Sequence, residues 1–124
     1  MKKKNCLLPV IFTMTTSVFA QTSLVDGTIK GVRCHLYNEH CVTSTKDPHV
    51  ALEQEFVLVS NAGDYYFLPD LSRSEKVALV NQNVRVSGEI EGKVLYVERV
   101  DLKRGEDYST TWDRDVRDAE LYSG

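Results

Sequence analysis

NVRVSGEIEG, residues 83–92, carries the clearest strand pattern of this chain. Apolar Val84, Val86 and Ile90 alternate with polar residues, which is the period of a strand with one buried face. Glu91-Gly92 predicts a tight turn, and residues 94–102 return as a second strand with apolar side chains on both faces. This region therefore predicts an antiparallel hairpin.

A short helix and another hairpin precede this pair of strands. Ser72 and Glu75 stand in the relation of a capping box, which predicts a helix from there to about Asn81. Upstream, residues 55–60 and 65–68 read as two strands joined by the turn sequence NAGD at 61–64. The helix thus falls between two predicted hairpins.

The first predicted strand is long and extends from Leu24 to Leu36, with Gly27 and Gly31 inside it. Glycines within a strand often mark a bulge or a strong bend. Five strands with a helix between the third and the fourth are the order of a small Greek-key barrel. We therefore expect a mainly β, five-stranded, OB-fold-like domain over residues 21–102. A small open α+β sheet is the alternative.

The last segment, residues 103–124, predicts a tail that is partly helical. Trp112, Val116 and Ala119 fall on one face of a helix that starts near Trp112. Such a helix either docks its tryptophan on the barrel or engages a partner, in which case the protein is an assembly subunit.

The first twenty residues have the architecture of a secretory signal peptide. The basic MKKK start and the apolar residues 7–12 are followed by Val18-Phe19-Ala20, which predicts cleavage after Ala20 and loss of Cys6. The apolar core is too short to span a bilayer comfortably. We expect a periplasmic or secreted protein that does not span the membrane once processed.

The charge balance narrows the range of partners. Three of the 15 basic residues and none of the 18 acidic ones lie in the leader, which leaves the processed chain at −6. An acidic domain repels phosphate backbones, so nucleic acid is disfavoured. A protein, a peptide or a glycan of the cell envelope remains as a partner.

Three segments of the second half resemble a known family. DYYFLPD at 64–70, NVRVSGEIEG at 83–92 and VERV at 97–100 look like the periplasmic bacterial OB-fold family of stress-associated proteins. The resemblance covers roughly residues 55–102 and has no counterpart in the first half. It implies a barrel fold, an exported location and an accessory role in envelope stress tolerance or in binding a cationic ligand. It carries over no functional residues.

The segment from Cys34 to Cys41 is the chemically densest part of the chain. In an exported protein two cysteines normally pair, so we expect a disulfide there. His35, His40 and His49 then offer an alternative function, an open copper or zinc site. A site built on thiolates is disfavoured by the oxidising compartment, and otherwise no cofactor is expected.

No motif points to catalysis. The chain has no nucleophile elbow, no glycine-rich phosphate loop and no zinc-protease helix motif. The paired carboxylates Glu53/Glu55 and Glu89/Glu91 read as solvated strand faces that could attract a cationic ligand. We therefore expect a non-enzymatic protein.

Aromatic residues supply the candidate ligand surface. Tyr65 and Phe67 share one face of the third strand, and Tyr66 and Leu68 share the other. One set must enter the core. The other set, extended by Tyr96, could form an outer face on which a ligand stacks, as in many OB-folds. Alternatively, the second set packs beneath the tail helix.

Overall fold

The computed structural model describes residues 9–14 and 21–122. The predicted cleavage site after Ala20 and most of the leader lie outside these residues. Residues 9–14 form no helix or strand and are exposed. Within the described ranges, no helix has the length and apolar character needed to cross a membrane.

The described residues form six strands and three short α-helices, with one 3₁₀ turn. In chain order they are β1 Ser23–Gly31, α1 Val32–Tyr37, the 3₁₀ turn Pro48–Leu52, β2 Phe56–Ser60, β3 Tyr65–Phe67, α2 Arg73–Ala78, β4 Asn83–Glu91, β5 Val94–Arg104, β6 Asp107–Asp113 and α3 Arg114–Tyr122. The protein is mainly β, as predicted.

The strands form one sheet that partly closes into a ring. The order is β3-β2-β1-β4-β5-β6, and each neighbouring pair is antiparallel. β3 also meets β5 in parallel through Phe67 and Val94, and the N–H of Phe67 donates to the carbonyl of Lys93 at 2.7 Å. Strands β1 to β5 therefore enclose the core.

β1 holds the two halves of the sheet together. It pairs with β2 through its second half and with β4 through its first half, overlapping at Gly27 and Thr28. A Cβ atom at Gly27 would overlap the carbonyl of Val59, so this close approach requires glycine. Inward side chains of the ring form the core, whose fully buried large members are Ile29, Phe56, Leu58, Leu68, Leu95, Val86, Val97 and Val100.

The prediction of five strands is wrong, because the tail contributes a sixth. Gly105, with φ of 63°, and Glu106 connect β5 to β6 in a two-residue turn. Residues 107–111 of β6 are all exposed, and only Trp112 is buried. An edge strand without alternating burial has no strand signature in its sequence, which is why the sequence predicts a partly helical tail here and no strand.

The prediction that the first strand continues to Leu36 is also wrong. The strand ends at Gly31, and Val32–Tyr37 forms α1. The Glu53 carboxylate accepts from the N–H groups of Arg33 and Cys34, both at 3.1 Å, and so satisfies free donors at the start of this helix. Glu53 lies about twenty residues further along the chain, so no local sequence pattern predicts the start of this helix.

The predicted capping box is present, and the C-terminal helix is docked, but it does not carry the predicted tryptophan, because Trp112 lies in β6. Ser72 and Glu75 exchange the two hydrogen bonds that start α2. At the C-terminus, α3 begins at Arg114 rather than near Trp112. It is attached to the β3–α2 turn, because Arg114 Nη2 lies 2.9 Å from Asp70 Oδ2 and Arg117 donates to the Asp70 carbonyl at 2.8 Å.

Candidate functional site

The predicted disulfide between Cys34 and Cys41 is confirmed. It joins α1 to the loop that follows, with the two Cα atoms 4.8 Å apart. Asn38, at the helix end, is in the left-handed conformation with φ of 55°, and its N–H donates to the Cys34 carbonyl at 2.9 Å. The loop after α1 therefore turns back sharply and is covalently closed.

Tyr65 is the centre of the candidate site. The His35 ring from α1 lies 5.4 Å from the Tyr65 ring, measured between centroids. From the β4–β5 turn, Lys93 Nζ lies 4.5 Å from the same ring, within the range of a cation–π interaction. Phe67 packs edge-on against Tyr65 at 5.9 Å. We call His35, Tyr65, Phe67 and Lys93 the aromatic face.

The aromatic face adjoins Val57, a buried residue that lies outside the main core cluster. Phe67 pairs with Val57 across β2 and β3, and Val57 pairs with Lys30 on β1. Val57 is fully buried, although its neighbours Phe56 and Leu58 belong to the core on the other side of β2. Tyr65 pairs with Val59 in the same way, and Tyr65 and Phe67 are both half-buried.

The other face of β3 enters the core, as the sequence predicted for one of the two sets. Leu68 is fully buried, and Tyr66 packs partly buried against the core cluster. Tyr96 points outward from β5 between the buried residues Leu95 and Val97 and is 42% exposed. In the part of the chain that the structure describes, Tyr96 makes no ring contact with Tyr65, so it lies beside the aromatic face rather than in it.

The three histidines occupy two places. His40 and His49 are neighbours, with ring centroids 5.5 Å apart, whereas His35 packs on Tyr65. Across residues 9–14 and 21–122 there is no group of three histidine, cysteine, aspartate or glutamate side chains arranged to hold a metal ion.

Asp47 organises the loop that carries His49. Three hydrogen bonds lower the pKa of Asp47 to about 2, the largest effect coming from the His49 N–H and the next from the N–H and hydroxyl of Thr43. Asp47 Oδ1 also lies 2.9 Å from His49 Nδ1. The carboxylate therefore fixes both the backbone and the side chain of His49.

The carboxylate pairs divide between structural contacts and surface. Glu53 is buried and caps α1, and Glu55 pairs with Lys76 at 2.6 Å. Glu89 and Glu91 are exposed and lie across β4 and β5 from Tyr96 and Val94. Two of the four carboxylates thus serve the fold itself.

Trp112 is packed inside the domain, where it pairs with Val100 across β5 and β6 and is 8% exposed. The Arg117 guanidinium lies 5.2 Å from its ring. Its indole is therefore not displayed to a partner. The exposed apolar residues of α3 are instead Val116, Ala119, Leu121 and Tyr122.

Among the cation–π pairs outside the aromatic face, that of Arg85 and Tyr108 resembles the pair of Lys93 and Tyr65. Arg85 donates to both carboxylate oxygens of Asp26, at 2.7 and 3.0 Å, and its guanidinium lies 4.4 Å from the Tyr108 ring. Tyr108 is thus a matched reference for Tyr65, because both tyrosines stack with a cation on outward strand faces.

Sequence reasoning missed Lys93 as a member of the site. The location of Lys93 in a tight turn was predictable, because the Glu91-Gly92 pattern predicts the β4–β5 turn. Its position over Tyr65 depends on the parallel contact between β3 and β5, which joins segments almost thirty residues apart.

Comparisons of the chain with protein-family models, with curated proteins and with solved structures give no match.

Proposed function

We propose that this protein is an exported, non-enzymatic binding or accessory protein of the cell envelope that holds its ligand on the aromatic face. The observation that carries the proposal is the environment of Tyr65. The half-buried Tyr65 ring contacts His35 from the connection between β1 and β2 and Lys93 from the turn between β4 and β5. Stacking surfaces beside a positive charge are suited to recognition rather than to proton transfer or nucleophilic attack.

The strand order supports an OB-type barrel as the scaffold. β1 pairs with β2 and β4, β2 pairs with β3, and β3 approaches β5, with α2 between β3 and β4. β6 would then be an addition to a five-stranded barrel. OB barrels bind ligands on the face of strands two and three and with the loops joining strands one to two and four to five. In this chain β3 supplies Tyr65 and Phe67. The connection between β1 and β2 supplies His35, and the turn between β4 and β5 supplies Lys93.

The leader and the disulfide support an exported location. A basic start, an apolar stretch and a small-residue ending characterise residues 1–20. The Cys34–Cys41 bond is of the kind that persists in oxidising compartments. An accessory role in envelope stress follows only from the family resemblance of residues 55–102.

The charges of the aromatic face favour a neutral or anionic ligand. Lys93 stands over Tyr65, and Lys30 lies in the same cross-strand row as Val57 and Phe67. These two ammonium groups oppose a cationic peptide locally, although the processed domain as a whole is acidic. A sugar ring or a planar acyl or peptide group stacks on tyrosine and accepts hydrogen bonds from lysine. A glycan of the envelope is therefore our first candidate.

Heteronuclear NMR titration tests the proposal, with soluble peptidoglycan fragments as the main probe and a cationic peptide as a second arm. We expect chemical-shift changes to cluster at Tyr65, Phe67 and Lys93, and Tyr65→Ala to abolish them. Tyr108→Ala is the matched control and should leave the titration unchanged. Changes confined to other surfaces, or equal binding by Tyr65→Ala, would refute the aromatic face as the ligand site.

A further inference from the structure

We propose that His40 and His49 form a two-histidine site for a divalent transition-metal ion, with copper(II) bound more tightly than zinc(II). The two residues are nine positions apart and lie on opposite sides of an irregular loop. Their rings nevertheless come together, with centroids 5.5 Å apart and planes inclined by 34°. This pairing is separate from the aromatic face and does not depend on the function proposed for it.

The distance between the rings suits a shared ion. Imidazole nitrogens bind zinc at about 2.0–2.1 Å, so two rings on one tetrahedral ion have centres roughly 5 Å apart. The observed separation of 5.5 Å between the two ring centroids is close to this value. His40 is exposed and the His49 side chain is 47% exposed, so solvent can reach an ion between them.

The loop holds both histidines in place. His40 adopts a left-handed conformation with φ of 52° and immediately precedes Cys41, which is bonded to Cys34. One residue further on, Val42 is buried, and its carbonyl accepts from Asn81 Nδ2 at 2.7 Å. The backbone on the His40 side is therefore attached to the barrel by a covalent bond and a hydrogen bond.

Asp47 orients the second histidine. Its Oδ1 accepts from the His49 N–H and also lies 2.9 Å from His49 Nδ1, while its Oδ2 accepts from Thr43. A carboxylate at Nδ1 favours the tautomer with the proton on Nδ1, which leaves the lone pair of Nε2 free to bind a metal ion. Metal-binding histidines usually have such a hydrogen bond from their other ring nitrogen. Asp47 is thus a positioning residue in this site.

The site differs from a three-histidine cluster. His35 packs against Tyr65, and no three-ligand group occurs among the residues that the structure describes. Water would complete the coordination of a bound ion. Imidazole ligands suit copper and zinc, and copper(II) leads the affinity order of the divalent first-row ions.

Isothermal titration calorimetry on the oxidised protein, without an affinity tag, tests this site with copper(II) and zinc(II) chloride in turn. We expect one ion per chain, and a loss of affinity of at least roughly tenfold in both His40→Ala and His49→Ala. Asp47→Asn should weaken binding by about tenfold. His35→Ala is the matched control and should bind as the unchanged protein does.

Far-UV circular dichroism establishes that each variant is folded, and copper(II) line broadening provides a second readout. In NMR spectra, copper(II) should broaden the His40 and His49 ring signals before those of His35. Absence of uptake, uptake that survives either His40→Ala or His49→Ala, or a loss in His35→Ala equal to theirs would each overturn the two-histidine site.

Discussion

The ammonium group of Lys76 lies 2.6 Å from Glu55 Oε1, although the Lys76 side chain is only 6% exposed. The pair joins α2 to the start of β2 across 21 residues of sequence. Burial by itself would raise the pKa of Glu55, but the hydrogen bonds from Lys76 and from the Phe56 N–H lower it below its ordinary value. The contact therefore fixes the helix against the barrel.

Removing the carboxylate should cost more than removing the lysine. Glu55→Gln leaves a buried ammonium without its counter-ion, and losing one partner of a buried pair costs about 3–5 kcal/mol. Because Glu55 itself is 40% exposed, we expect a smaller loss of unfolding free energy, about 1–3 kcal/mol. Lys76→Met keeps the stem and removes the charge, so it should lose less. Urea unfolding of both variants measures the difference, and the reverse ranking would contradict this account.

Acid should destabilise the fold through three lowered carboxylate pKa values, those of Asp26, Asp47 and Glu55. The hydrogen bonds and the charge of Arg85 lower the pKa of Asp26. The hydrogen bonds from Lys76 and from the Phe56 N–H lower the pKa of Glu55. A carboxylate whose pKa is lower in the folded state stabilises the fold fully when the pH is above its pKa in the unfolded chain. That stability is lost as the pH falls through its pKa in the folded state. The urea midpoint should therefore be level above about pH 5 and fall below about pH 4.5.

Asp26→Asn provides the control for this pH dependence. It should flatten the acid part of the profile and reduce the midpoint at neutral pH. A profile as steep as that of the unchanged protein would show that Asp26 does not contribute.

Breaking the disulfide should destabilise the domain moderately. Cys34→Ser combined with Cys41→Ser opens a ring with a sequence separation of seven. The chain-entropy model predicts a loss of about 2–3 kcal/mol for a ring of this size. Chemical denaturation of the double variant, and of the unchanged protein with and without a reductant, measures it. An unchanged midpoint in both cases would argue against a stabilising role.

Trp112 should be essential to stability through its ring and not through its N–H. Trp112→Ala removes a buried indole next to Val100 and should cost about 3–5 kcal/mol. Among the residues described, Trp112 Nε1 has no hydrogen-bond partner. Trp112→Phe should consequently lose less than about 1.5 kcal/mol.

The exposed Tyr108 on the same strand is the reference for Trp112. Tyr108→Ala should change the unfolding free energy by about 0.5–1 kcal/mol, because it removes only a surface cation–π contact with Arg85. Truncation after Lys103 removes β6 together with Trp112 and should prevent stable folding. Unfolding followed by far-UV circular dichroism ranks the variants, and a stable truncated domain would show that β6 is dispensable.

Local chemistry made several features predictable. The alternation at 84–90 identified β4, the Ser72/Glu75 pair identified the start of α2, and the turn at 61–64 identified the β2–β3 hairpin. Each of these depends on residues a few positions apart, whose spacing matches the period or the cap of one element.

Other features were beyond such reasoning because their partners are distant in sequence. Gly31 ends β1 and α1 begins because Glu53 reaches back to the helix start. Lys93 comes over Tyr65 only when β3 meets β5. Neither interaction leaves a local pattern.

By itself, then, the sequence determined the mainly β class, the strong strands and hairpins, and the pairing of Cys34 with Cys41. The tertiary structure alone decided that the tail supplies β6, that Tyr65 receives His35 and Lys93, and that His40 stands beside His49. Periodicity and capping are encoded within a few neighbouring residues. Contacts between side chains that are distant in sequence depend on the closure of the sheet and on the course of its loops.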